Sequence, residues 1–118
     1  MKKALLGFMA MAAATIPATA TLAQHTFPGD RSHCVATLTA NNPNSRINLR
    51  SGAGTNYRYL GYGLVGDNVY VLTNRPPEYD YEFDNQGYGW IRVGFPVSGA
   101  QGWIREDFLN VECAPIND

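Results

Sequence analysis

From residue 34 onward the chain alternates. Apolar residues recur at every second position in short runs, and Gly, Pro, Asn or Asp interrupts each run. No helical period persists there, so the pattern predicts an all-β domain of short strands, a sandwich or small barrel. The clearest pair of strands lies at 89–105, where Gly-Trp-Ile-Arg occurs twice. Alternate residues of a strand share a face. Ile91, Val93 and Phe95 therefore point one way, and Trp90 and Arg92 the other. A turn centred between Ser98 and Gly99 sets Val93 opposite Ile104 and Gly94 opposite Trp103. One face of the hairpin is then apolar (Ile91, Val93, Phe95, Ile104). The other carries Trp90, Arg92, Trp103 and Arg105.

The remaining runs give five to six antiparallel strands in all. The first covers 34–40. The second, 46–50, turns Ile47 and Leu49 inward and Asn48 and Arg50 outward. A turn follows at 51–56, where Gly52 and Gly54 suit positive φ. Residues 58–64 form a strand or an extended arm, and 68–73 a β-branched strand. A long insertion spans 75–87, the hairpin strands 88–95 and 101–105, and a short 3₁₀ turn 107–110. A last strand at 111–113 is placed to pair with the first.

The ends of the chain set its compartment. Lys2 and Lys3 precede an uncharged apolar run, Ala4 to Ile16, and then small residues. This is the layout of a secretory signal peptide, with cleavage after Ala20 or, favoured here, Ala23. The run is too short to span a bilayer, which needs about 20 apolar residues. The expected division is a signal peptide at 1–23, a flexible tail at 24–33, the domain at 34–113 and a C-terminal tail at 114–118. Loss of the two lysines takes the net charge from −1 to −3, a poor start for binding nucleic acid or anionic membranes. Cys34 and Cys113 are the two cysteines. An even count in an exported chain points to a disulfide, here one that clasps the domain end to end. The alternatives are a catalytic thiol or a metal site, and neither Cys has a further ligand at metal-binding spacing; His33 is adjacent only in sequence.

Four motifs occur in order: Asn48-Leu49-Arg50-Ser51-Gly52, Gly66-Asp67 before Asn68 to Leu72, Gly89-Trp90-Ile91-Arg92, and Gly102-Trp103-Ile104. Together they resemble the bacterial SH3-like domain family across residues 35–111. The chain departs from that pattern at Ala53, where proline is frequent, and in the longer 75–87 segment. The resemblance implies a small SH3-like barrel, with aromatics of the arm, the long loop and Trp90 converging on a groove for extended peptides.

The candidate ligand-binding residues are Arg50, Tyr57, Tyr59, Tyr79, Tyr81, Phe83, Trp90, Arg92 and Trp103. Tyr79, Tyr81 and Phe83 alternate with Glu78, Asp80, Glu82 and Asp84, which gives one aromatic and one acidic face. Aromatic surfaces flanked by charge hold sugar rings and peptides, but the same rings also close cores. No serine-centred elbow occurs, and both histidines lie outside or at the edge of the domain. The expectation is an exported, secreted or periplasmic, non-catalytic binding module without metal or cofactor. The resemblance suggests a cell-envelope ligand, peptidoglycan peptide or glycan first. The alternative is an interaction or inhibitor subunit for another exported protein.

Overall fold

The computed structural model describes residues 31–115. The expected signal peptide and all but three residues of the expected tail lie outside the described residues. Eight antiparallel strands follow in chain order: β1 (Arg31–Leu38), β2 (Arg46–Arg50), β3 (Tyr59–Leu64), β4 (Asn68–Leu72), β5 (Tyr81–Phe83), β6 (Gly89–Gly94), β7 (Gln101–Arg105) and β8 (Leu109–Cys113). A 3₁₀ turn, Glu106–Phe108, joins the last two.

They form one sheet in the order β3-β2-β7-β6-β4-β1-β8, with β5 added beside β6. The path ends on β3 at one side and β8 at the other, so the sheet is open and the expected closed barrel is not formed. Its ends are drawn together by loops instead. The β3–β4 turn exchanges two backbone hydrogen bonds with Leu38 at the end of β1, Leu38 N to the Asp67 carbonyl (2.9 Å) and Gly66 N to the Leu38 carbonyl (2.8 Å).

Three strands exceed the sequence reading. β8 begins two residues early, at Leu109, because the 3₁₀ turn ends at Phe108 and Leu109 pairs with Leu38. β1 begins three residues early, inside the expected tail, because Arg31 pairs with Leu72 and lies over the Tyr70 ring at 3.8 Å. Ser32 Oγ also donates to the Val71 carbonyl at 2.7 Å. β5 arises within the long 75–87 segment, where Tyr81, Glu82 and Phe83 pair with Ile91, Trp90 and Gly89.

The core follows the alternation. Ile47, Leu49, Ile91, Val93 and Ile104 are all nearly inaccessible, and Ala36, Leu38, Val69 and Val71 complete the cluster from β1 and β4. Phe95 packs partly buried against it. Residues of β6 and β7 keep the expected faces but not the expected partners. Val93 pairs with Gly102, and Ile91 with Ile104. The turn is therefore one residue nearer the N-terminus, and each pair slips by two, which preserves the face of every side chain. The cause is the loop 96–99, closed by Phe95 N to the Ala100 carbonyl at 2.8 Å, with Gly99 at φ 79°. A left-handed residue at the end of a four-residue loop favours glycine. Gly52 is a glycine for a different reason from the one expected. Its φ is not positive, but a Cβ there would fall 2.4 Å from the Tyr57 ring.

Cys34 and Cys113 sit directly opposite each other on β1 and β8 and form a disulfide. Cys34 lies in the core and Cys113 is exposed.

Candidate functional site

The two Gly-Trp-Ile-Arg segments have different surroundings. On the outer face of the sheet, Trp103 pairs with Arg92 on one side and with Arg50 on the other, and Arg50 pairs with Tyr59. Paired residues share a face. The result is a row, Tyr59–Arg50–Trp103–Arg92, across β3, β2, β7 and β6. Trp103 is half-buried. Trp90 pairs with Arg105 one step further along the same face but is only 3% exposed.

Asp84 accounts for that burial. One carboxylate oxygen accepts from Trp90 Nε1 at 2.9 Å, and the other accepts the backbone N–H groups of Gln86 and Tyr88 at 2.9 Å each. These bonds, the Trp90 indole first, hold the Asp84 carboxyl below its ordinary value. The buried turn at 52–54 approaches Asp84: a Cβ on Gly54 would stand 3.5 Å from Asp84 Cβ. Of the two readings the sequence leaves open for Trp90, a covered ring or an exposed platform, the ring is the covered one.

Asp80 has a parallel task. It forms an ion pair with Arg92 at 2.7 Å, and Asn74 donates to it twice, from its backbone and its side-chain amide, both at 3.1 Å. The fully buried Thr73 donates to the Glu78 carbonyl and accepts the Arg75 N–H at 2.9 Å. Two of the four clustered acids, Asp80 and Asp84, therefore shape the segment, while Glu78 and Glu82 remain exposed.

The segment so braced forms one wall of a groove of ≈ 660 Å³, with Trp103, Tyr79 and Tyr81 among its lining residues. Glu78 and Glu82 add charge to it, and His33 and the two bridged cysteines line it as well. His33, Cys34 and Cys113 bring potential ligand atoms within 4.8 Å of one another. Both sulfurs are spent in the disulfide, so the trio lacks the thiolates a soft metal requires.

A second, smaller cleft of ≈ 220 Å³ lies over Trp90, walled by Arg46, Arg50, Arg105 and Phe108. The candidate residues therefore do not converge on one site. Tyr79, Tyr81 and Trp103 line the wide groove, and Arg50 and Trp90 the narrow cleft. Arg92 lines neither. Tyr57 and Tyr59 are exposed along the arm, where Arg50 Nη1 donates to the Tyr57 carbonyl at 3.3 Å and the guanidinium lies 5.9 Å from the Tyr59 ring centre. Phe83 is 68% exposed and meets Tyr81 edge to face at 5.2 Å. Sequence reading missed Arg46 and Arg105 as site residues, although alternation with Arg50 and Trp103 places both on the outer face.

Tyr81 O–H donates to Glu106 Oε1 at 2.5 Å, and this bond to a carboxylate pushes the phenol up to about 12 from an ordinary 10.0. The bond is therefore fully present below pH 10 and lost as the pH passes about 12. In an ultraviolet titration of the seven tyrosines, one phenol should ionise last, near pH 12, and Glu106→Gln should return it towards 10. Titration of all phenols as one group in the wild type would contradict this.

No family model matches the chain, and no solved structure matches it. A stretch of 63 residues is 34% identical to part of serine/threonine-protein kinase D of Synechocystis sp.. The match covers 53% of this chain and 11% of that protein's length.

Proposed function

We propose that this chain is an exported, non-catalytic binding module of the bacterial SH3-like kind, whose wide groove holds a cell-envelope component, a peptidoglycan peptide or glycan. The observation that carries the reading is Trp103, half-buried beside Tyr79 and Tyr81 in a groove of ≈ 660 Å³. That volume is within the range of about 300–1,000 Å³ common for ligand sites. Aromatic faces receive sugar rings and extended peptides, and the acids Glu78 and Glu82 add hydrogen-bond acceptors for hydroxyl and amide groups. The disulfide suits an oxidising compartment, as does the basic and apolar start of the sequence. No helix among the described residues is long and apolar enough to cross a membrane.

Co-sedimentation with purified peptidoglycan tests the reading. The wild-type chain should pellet with the wall material, and Trp103→Ala should bind at least about tenfold more weakly with its unfolding midpoint little changed. A wild-type chain that stays in the supernatant removes the proposal.

A second reading, a subunit that binds or inhibits another exported protein, is favoured by β3. This edge strand has no charged residue, and Tyr59, Leu60, Tyr62 and Leu64 are each at least 40% exposed. An uncharged open edge accepts an added strand. Crosslinking from β3 to an envelope protein, with no retention on wall material, would select this reading.

A further inference from the structure

Three of the seven arginines, Arg46, Arg50 and Arg105, line the narrow cleft, and no Asp or Glu lines it. Each guanidinium lies near an aromatic ring. Arg46 lies over Tyr62 at 4.6 Å, Arg50 near Tyr59 at 5.9 Å, and Arg105 over Tyr88 at 4.3 Å. Such contacts restrain the planar fork. Arg105 Nε and Nη2 are engaged by Asp107 and Arg50 Nη1 by the Tyr57 carbonyl, which leaves the Arg46 fork and Arg50 Nε for an acceptor. Arg50 Nε is buried and has no hydrogen-bond partner among the described residues. A charged donor in that position is one for which a partner is expected, because buried donors are nearly always satisfied.

We infer that this cleft is a binding site for a carboxylate carried on a small apolar stem, such as the C-terminal end of a peptide. The charge balance favours a monoanion. Asp107 already takes two bonds from Arg105, at 2.7 and 2.8 Å, and so offsets part of the cationic wall. A two-oxygen planar group matches the guanidinium fork. Phe108, half-buried, supplies the apolar surface next to it, with the covered Trp90 ring beneath. The volume of ≈ 220 Å³ suits one residue and not an extended ligand. This site shares no lining residue with the wide groove and stands whether or not the chain binds the envelope.

The test is a nuclear magnetic resonance titration of the exported chain, following the Arg50 Nε–H resonance. The probes are N-acetylleucine, its amide N-acetylleucinamide and inorganic phosphate. N-acetylleucine should move the resonance saturably with a dissociation constant of order 1 mM, a weak value typical of a fragment that makes few bonds. The amide should be at least about tenfold weaker, because it lacks the charge-assisted acceptor. Added salt should weaken the acid, since the wall is cationic and partly open. Arg46 is exposed, so Arg46→Gln should weaken the acid severalfold while keeping the unfolding midpoint. An acid that leaves the resonance unmoved, or an amide that moves it equally, overturns the inference. Phosphate that binds more tightly than the acid overturns the assignment to a carboxylate.

Discussion

Replacing Cys34 and Cys113 together by alanine should lower the unfolding free energy by about 4 kcal/mol and the midpoint temperature by about 20 °C. The bridge joins positions 79 residues apart and so closes a loop that includes almost all of residues 31–115. In the chain-entropy account, a loop of that length restricts the unfolded chain by between about 3 kcal/mol, for 15 residues, and about 4.7, for 100. Small domains are stable by only about 5–15 kcal/mol, so the loss is a large share. The fold adds a second reason. β8 is an edge strand paired only with β1, and the bridge lies at one end of that ladder. Without it, β8 should fray first, visible as faster amide exchange from Leu109 to Cys113. A double variant within about 1 kcal/mol of the wild type in urea unfolding would contradict this account.

Trp90→Ala should cost about 3–5 kcal/mol, the range for truncating a buried large aromatic. The ring is 3% exposed, and its indole N–H satisfies Asp84, which in turn holds the β5–β6 turn through Gln86 and Tyr88. The variant loses apolar burial and loosens that turn together. Trp103→Ala, in the same tetrapeptide, should cost much less, because the ring is half-buried outside the core cluster. Urea unfolding of the two variants side by side separates them. Equal losses would show that the two segments share one role, contrary to the arrangement described above.

That contrast also marks how far the sequence could be read. Period-two alternation placed Ile47, Leu49, Ile91, Val93 and Ile104 in the core, because a strand's geometry alone decides which residues share a face. The register of β6 on β7 was misjudged by two because it depends on where the turn closes, and Pro96 to Gly99 close it one residue earlier than a centre at Ser98–Gly99 implies. The pairing of Cys34 with Cys113 was legible because the two cysteines of the sequence stand at the two ends of a small domain. The different fates of Trp90 and Trp103 were not. Their neighbours in sequence are identical, and what sets Trp90 apart is its bond to Asp84, which no local pattern announces. The roles of Asp80 and Asp84 were hidden for the same reason: an alternating acidic stretch reads as a solvated face until Arg92 and Trp90 are brought beside it. The eight-stranded open sheet departs from the expected barrel because the 75–87 segment contributes β5 and because no ladder joins β3 to β8.

The proposed role depends on the wide groove, and the indole N–H of Trp103 reports on it directly. Soluble peptidoglycan fragments added to the protein should shift that resonance saturably, and fragments lacking either the peptide or the glycan would identify the part that is held. A Trp103 resonance that stays in place while the fragments are raised well beyond the protein concentration would contradict the binding function assigned to this groove.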